Sequence, residues 1–244
     1  MFKDYITENA SKINCASLSQ KASYFSTADE KGVKVWGINV EEPLLKFSNF
    51  QSEVICSVFD YNCQKVCCGT YGGSILVLDI NTNKVSMQLK GHKSSCCVVK
   101  TTESQDSPIL ASGSSDGKVK IWDMRSQEPI KILEGHQTTI KALDFSPDNS
   151  WIGSGSDDGY LEIYETKSGK QEAQMKFNKG ITCFKFNPVN YLLAAGYADN
   201  RIRLWNLETF QILQETQSDF SSIKSIKFID ENKMVSASSD LLKV

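Results

Sequence analysis

A chain of 244 residues with 40% hydrophobic and 23% charged residues is long enough to bury one large β domain or two ordinary ones. Its formal charge of −2, with Lys and Arg spread throughout, lacks the basic footprint that a phosphate backbone selects, which excludes nucleic acid as the expected partner. The N-terminal "MFKDYITENASKIN" carries charges and no apolar run, and no later segment approaches the roughly 18 apolar residues of a membrane span, so a cytoplasmic protein without a membrane partner is expected.

In chain order, "FKDYI" at residues 2 to 6 reads as a short strand, and the remainder falls into six units at approximately 9–46, 52–90, 92–134, 136–176, 178–216 and 220–244. The first five contain "STADEKGVKVWG", "GTYGGSILVLD", "SGSSDGKVKIWD", "SGSDDGYLEIYE" and "AGYADNRIRLWN": small residues, an acidic or Gly turn, then an alternating strand. Each strand closes on a bulky residue, Trp36, Leu78, Trp122, Tyr164 and Trp205, at intervals of 42, 44, 42 and 41. That period belongs to propeller blades of four strands. Strands such as "IKALDFSPDNS" and "ITCFKFNPVNY" precede the signature, each running into a Pro, Asp or Asn turn. The chain ends in "SASSDLLKV", where Val244 matches Val35, Val77, Ile121, Ile163 and Leu204, one residue before the bulky position. The expectation is therefore an all-β propeller of six four-stranded antiparallel blades. The last is cut at its third strand and closed by residues 2 to 6, which removes an open sheet edge. A seventh blade in a longer natural chain is the alternative.

Eight cysteines without a signal peptide read as reduced thiols. Cys67-Cys68 and Cys96-Cys97 lie in strand-like runs where neighbours point to opposite faces, so they read as small buried hydrophobes, with no metal and no cofactor expected.

The recurring "SGSSDGKVKIWD" pattern, with Gly91-His92 and Gly135-His136 ahead of two units, resembles the WD-repeat family. That resemblance implies a structural hydrogen-bond network in each blade. One would join His92, Ser112, Asp116 and Trp122; the next would join His136, Ser154, Asp158 and Tyr164; Asp199 and Trp205 would stand in the same places one unit on. A catalytic role for either histidine is set aside, because each sits where the network needs it.

More narrowly, "NPVNYLLAAGYADNRIRLWNLETFQILQE", residues 187 to 215, resembles a repeat of the non-catalytic WD-repeat subunit of katanin, a microtubule-severing complex. "VKVWGIN", "GGSILVLDI", "LDFSPD" and "SSDLLKV" stay in register with that family's six-repeat propeller. The sequence departs from it where Ser48-Asn49-Phe50 and Asn178-Lys179-Gly180 replace Gly-His, and where Glu30 and Gly72 take hairpin Asp positions. The resemblance implies a non-enzymatic scaffold of the cytoplasm and cytoskeleton, at a centrosome, basal body or cilium, with microtubule-associated proteins or tubulin as partners. It also implies a catalytic AAA ATPase partner, whose binding domain follows the propeller in that family and is not in these 244 residues. No P-loop is present, so any ATPase is a partner.

Trp122-Asp123-Met124-Arg125 also resembles the box by which WD-repeat receptors dock on the adaptor of a cullin-type ubiquitin ligase, with Asp123 and Arg125 as its charged members. A substrate receptor is thus the alternative function. Loops between second and third strands, with those joining units, are expected on one face carrying Tyr71, Lys93, Gln137, Lys179, Tyr197 and Phe220 as partner contacts.

Overall fold

A computed structural model describes residues 12–20, 23–102, 109–216, 221–238 and 242–243. The strand expected at residues 2 to 6 and Phe220 lie outside the described residues. Among these residues all regular structure is β, and no helix is long and apolar enough to cross a membrane.

The strands form successive antiparallel sheets in which chain order is spatial order. The first sheet holds β1 (Cys15–Leu18), β2 (Tyr24–Asp29), β3 (Gly32–Gly37) and β4 (Leu45–Ser48). The second holds β5 (Val54–Phe59), β6 (Lys65–Thr70), β7 (Ile75–Asp79) and β8 (Lys84–Leu89). The third holds β9 (Cys96–Thr101), β10 (Ile109–Ser114), β11 (Lys118–Asp123) and β12 (Pro129–Glu134). The fourth is β13 (Ile140–Phe145), β14 (Trp151–Ser156), β15 (Tyr160–Glu165) and β16 (Gln171–Lys176). The fifth is β17 (Ile181–Phe186), β18 (Leu192–Tyr197), β19 (Ile202–Asn206) and β20 (Gln211–Glu215). The sixth shows three strands, β21 (Ile223–Phe228), β22 (Met234–Ser238) and β23 (Leu242–Lys243). Six repeated sheets of this kind are the blades of a WD-repeat β-propeller fold.

The chain divides into two compact units, residues 1–114 with 121–130, and residues 115–120 with 131–244. In the first, β1, β5 and β9 lie side by side, and a core of Ala28, Val33, Val35, Phe47, Val54, Val66 and Leu78 fills the space between the first two sheets. A second core joins Cys67, Ile75, Val77, Leu89, Cys96, Leu110 and Trp122. In the other unit, β13, β17 and β21 run together over Leu161, Ile163, Ile181, Phe184, Phe186, Leu193 and Trp205.

The period-two pattern that flags these strands is also what packs them. Third strands are buried on both faces, so Val119, Ile121 and Trp122 are all in the interior. A bulge recurs at one place in the first strands, where the register skips Ile55, Cys97, Lys141, Thr182 and Lys224. Polar pegs tie neighbouring first strands further along. Thr101 Oγ1 donates to the Phe59 carbonyl at 2.9 Å, and Asp144 receives both Lys185 Nζ at 2.6 Å and the Phe186 amide at 3.1 Å.

Turn chemistry holds the hairpins. Gly159 has φ +82°, and a Cβ there would lie 2.2 Å from the Phe177 carbonyl oxygen and 3.0 Å from that of Lys179. Gly169 has a similar φ of +76° but only side-chain carbons nearby, the closest at 3.1 Å. Gly169→Ala is expected to cost about 1 kcal/mol from backbone conformation alone. Gly159→Ala is expected to cost at least about 2 kcal/mol, because a backbone carbonyl cannot move aside. Urea unfolding of both variants checks this, and equal costs would contradict the packing described.

Candidate functional site

The polar side chains singled out by the repeat run from the hairpins between second and third strands, which hold Asp116, Asp158 and Asp199, into the strands themselves, but each sheet solves the same problem differently. In the third sheet, Ser112 Oγ takes the Trp122 indole N–H at 2.8 Å and lies 2.7 Å from His92 Nε2. The His92 ring meets Trp122 edge-on at 6.3 Å, and Asp116 accepts the Lys118 amide at 3.0 Å, closing the turn. In the fourth sheet, His136 Nδ1 faces the Asp158 carboxylate at 3.2 Å, and its Nε2 lies 2.9 Å from Ser154 Oγ. Asp158 also accepts amides from Gln137 at 3.1 Å and Tyr160 at 2.9 Å.

Ser154, His136 and Asp158 therefore stand in the order of a hydrolytic triad, yet Ser154 is 1% exposed. A nucleophile must reach its substrate, so this arrangement is a structural tie. The Tyr164 hydroxyl does not close onto Ser154 as the repeat implies; it donates to Glu162, a carboxylate with no exposure. Glu162 also receives Gln174 Nε2 at 2.7 Å and sits 3.4 Å from His136 Nε2. Burial, with that carboxylate against it, pushes the Tyr164 phenol well up.

The fifth sheet has no histidine. Arg203, 2% exposed, takes its place, donating to Asp199 at 2.7 and 3.1 Å and to Glu215 at 2.8 Å. Its guanidinium lies 3.7 Å from the Phe177 ring centroid and 4.6 Å from that of Tyr197. Trp205 donates its indole N–H to the Tyr197 hydroxyl at 2.9 Å, because the strand position that carries Ser112 and Ser154 in earlier sheets is Ala195 here.

Tyr197 is thus a correction. Expected on an exposed partner face, it is 1% exposed, since β18 runs through it and its hydroxyl is needed inside. The others expected there are at the surface: Tyr71 is 69% exposed, and Lys93, Gln137 and Lys179 are exposed. In the first unit, the turn holding Tyr71 lies against the segment of Lys93, since a Cβ at Gly73 would be 2.9 Å from the His92 carbonyl and 2.5 Å from that of Ser94. In the second, the Asp157–Gly159 turn touches the Lys179-Gly180 segment, while Asp158 holds the Gln137 amide. The buried ties thus fix the loops on which these side chains stand.

Asp123 and Arg125 are brought together: the guanidinium grips the carboxylate at 2.7 to 3.2 Å while remaining 74% exposed. The Arg125 hydrogen bonds hold the Asp123 carboxyl below its ordinary range. A further surface escaped the sequence reading. On the second unit, Val189, Tyr191 and Ile229 are exposed, and the Tyr191 ring is 6.3 Å from that of Trp151. Glu162 and Arg203 were also missed. The signal was present, since both stand two residues before the bulky strand end and so share its buried face, as Lys120 does. Among the described residues, no cluster of His, Cys, Asp and Glu is arranged to hold a metal ion.

With buried ties, exposed loops and six repeated sheets together, the class is that of WD-repeat protein-interaction scaffolds. The family described as "WD domain, G-beta repeat" is matched at residues 83–123, 127–165 and 169–206, so these units are WD40 repeats. The chain is 28% identical over 136 residues to human "Pre-mRNA-processing factor 17", covering 54% of this chain and 24% of that protein. It is 25% identical over 208 residues to the "Striatin homolog" of Dictyostelium discoideum, covering 78% of this chain and 25% of the relative. It is 30% identical over 135 residues to "E3 ubiquitin-protein ligase COP1" of Arabidopsis thaliana, covering 54% and 20%. The chain therefore spans a quarter or less of the length of these relatives.

Arg203 offers a test with a pH signature. Partial burial would raise Asp199, but the Arg203 hydrogen bonds and charge outweigh it and hold the carboxyl below 3.8. Hydrogen bonds from Arg201, then the Arg203 charge, hold Glu215 below 4.5. Both folded values are depressed, so this stabilisation is whole above about pH 4.5 and fades as pH falls through the folded values. Arg203→Met is expected to lose about 2 kcal/mol at neutral pH, less than a fully buried pair would cost because Asp199 keeps some water. Its stability should also fall less steeply below about pH 4.5 than that of the unaltered chain, as read by urea titrations across pH.

Proposed function

We propose that the chain is a non-enzymatic adaptor resembling the regulatory subunit of katanin, which targets or regulates microtubule severing at cytoskeletal structures in the cytoplasm. One observation carries the scaffold half of this reading: His92, His136, Ser112, Ser154, Asp158 and Asp199, the groups with catalytic chemistry, are spent on internal hydrogen bonds, while Tyr71, Lys93, Gln137 and Lys179 stay at the surface. The cytoskeletal half is supported by the register of residues 187 to 215 with that family. The relatives named above are not katanin subunits, so the partner proteins, microtubule-associated proteins or tubulin with a catalytic AAA ATPase beyond them, belong to the proposal.

A second reading, a substrate receptor of a cullin-type ubiquitin ligase, is favoured by the exposed Arg125 on Asp123 and by likeness to a relative named as a ubiquitin ligase.

Affinity capture of the 244-residue chain from cells, read by mass spectrometry, separates the two. The adaptor reading expects microtubule-associated proteins, unaffected by Arg125→Glu. In a sedimentation assay it expects weak microtubule binding that falls further with salt, because basic residues are scattered along a chain of net charge −2. Capture of a cullin adaptor that is lost on Arg125→Glu would replace this reading with the second.

A further inference from the structure

The second strands carry glycines against which the first strand of the following sheet packs. In the second unit that following strand presents carbon. A Cβ at Gly155 would meet Ile181 Cγ2 at 2.7 Å; one at Gly196 would meet Ile223 Cγ2 at 2.8 Å and Cys183 Sγ of its own sheet at 3.0 Å. At the equivalent Gly69, two cysteines are the neighbours, with Cys56 Sγ at 2.5 Å and Cys96 Sγ and carbonyl oxygen both at 2.8 Å. Both sulfurs pack against the same point of the backbone, and the Cys96 side chain is the strongest influence on the Cys56 thiol. The pairing is fixed further by the Cys56 thiol, which donates to the Cys96 carbonyl at 3.2 Å. Cys96 is fully buried, Cys56 is partly exposed, and both are free thiols. The position of Cys96 is isoleucine at the Ile181 and Ile223 sites, whereas that of Cys56 carries sulfur again at Cys183, so it is Cys96 that completes the sulfur pair and departs from the repeat.

We propose that Cys56 and Cys96 are an oxidation site: a thiol pair that closes into a disulfide between the second and third sheets when the chain meets hydrogen peroxide. Cys56, the more exposed, attacks first. An S–O bond forms, the O–O bond breaks, and hydroxide leaves as water with the thiol proton, giving a sulfenic acid at Cys56. The Cys96 sulfur then attacks the Cys56 sulfur, forming S–S and breaking S–O, and the second hydroxide leaves as water with the Cys96 proton. Two thiols lose two electrons and two protons, and one peroxide becomes two waters. The Cys96 thiol beside it, then burial, push the Cys56 thiol well above its ordinary 9.0. Closure is therefore slow at neutral pH and faster in alkali, where the thiolate is populated. The adjacent Cys67 and Cys68 are buried on opposite faces of β6 and so do not face each other.

The test is to treat the 244-residue chain with hydrogen peroxide at about pH 7 and about pH 9, alkylate the remaining thiols, digest, and map crosslinks without reduction. The expected result is one dominant crosslink joining the Cys56 and Cys96 peptides, two hydrogens lighter than the pair, more abundant at the higher pH and removed by dithiothreitol. In Cys56→Ser, which keeps the size of the side chain, Cys96 should stay fully alkylated. The proposal is overturned if both residues stay alkylated in the unaltered chain while Cys63, on its turn, is oxidised. It is equally overturned if Cys56 or Cys96 crosslinks mainly to other cysteines.

Discussion

The indole N–H of Trp36, Trp122 and Trp205, at the ends of the third strands in the first, third and fifth sheets, has to find an oxygen inside the protein, and those sheets are arranged around that demand. A large aromatic closes the apolar layer, but its one polar atom cannot be left dry without a penalty of about 1–3 kcal/mol. Thr27 answers Trp36 at 2.9 Å, Ser112 answers Trp122, and Tyr197 answers Trp205. The fourth sheet replaces the indole by a phenol, and Glu162 takes the proton donor instead. Where a hydroxyl also meets His92 or His136, the segment entering the sheet is fixed against the hairpin, and with it the loop residues that face solvent.

Much of this was legible in the sequence. A period near 42 residues and strict alternation in "GKVKIWD" read directly as repeated strands, because side-chain direction alternates whatever the tertiary context. What escaped is the compensation between residues far apart in the string. Ala195 removes the expected hydroxyl, and only the structure shows Tyr197 supplying it from two residues along. That exchange draws Tyr197 inside. Loss of the Gly-His pair before the fifth sheet reads as a missing network, whereas Arg203 between Asp199 and Glu215 is a different network in the same place. A charged residue at that strand position is a solvated side chain by composition and a buried one by register, and register is the stronger constraint.

The same economy bears on function. The histidines, buried serines and hairpin acids described here hold the loops, and a fold alone does not assign a function. Relatives named for pre-mRNA processing, striatin and a ubiquitin ligase are all similar to this chain, so the likeness does not by itself assign a task. Exposed side chains here include Tyr71, the Asp123–Arg125 pair, and Tyr191 beside Trp151. Aromatic and Arg anchors of this kind carry most of the binding energy at protein interfaces.

A double-mutant cycle between Ser112→Ala and Trp122→Phe tests the buried tie most directly, because volume changes cancel and only the shared hydrogen bond remains. Measured by urea unfolding, the coupling energy should be about 1–2 kcal/mol, as a buried hydroxyl and indole held at 2.8 Å demand. Additive effects, within about 0.3 kcal/mol, would mean that the indole is satisfied elsewhere and that this contact does not organise the sheet.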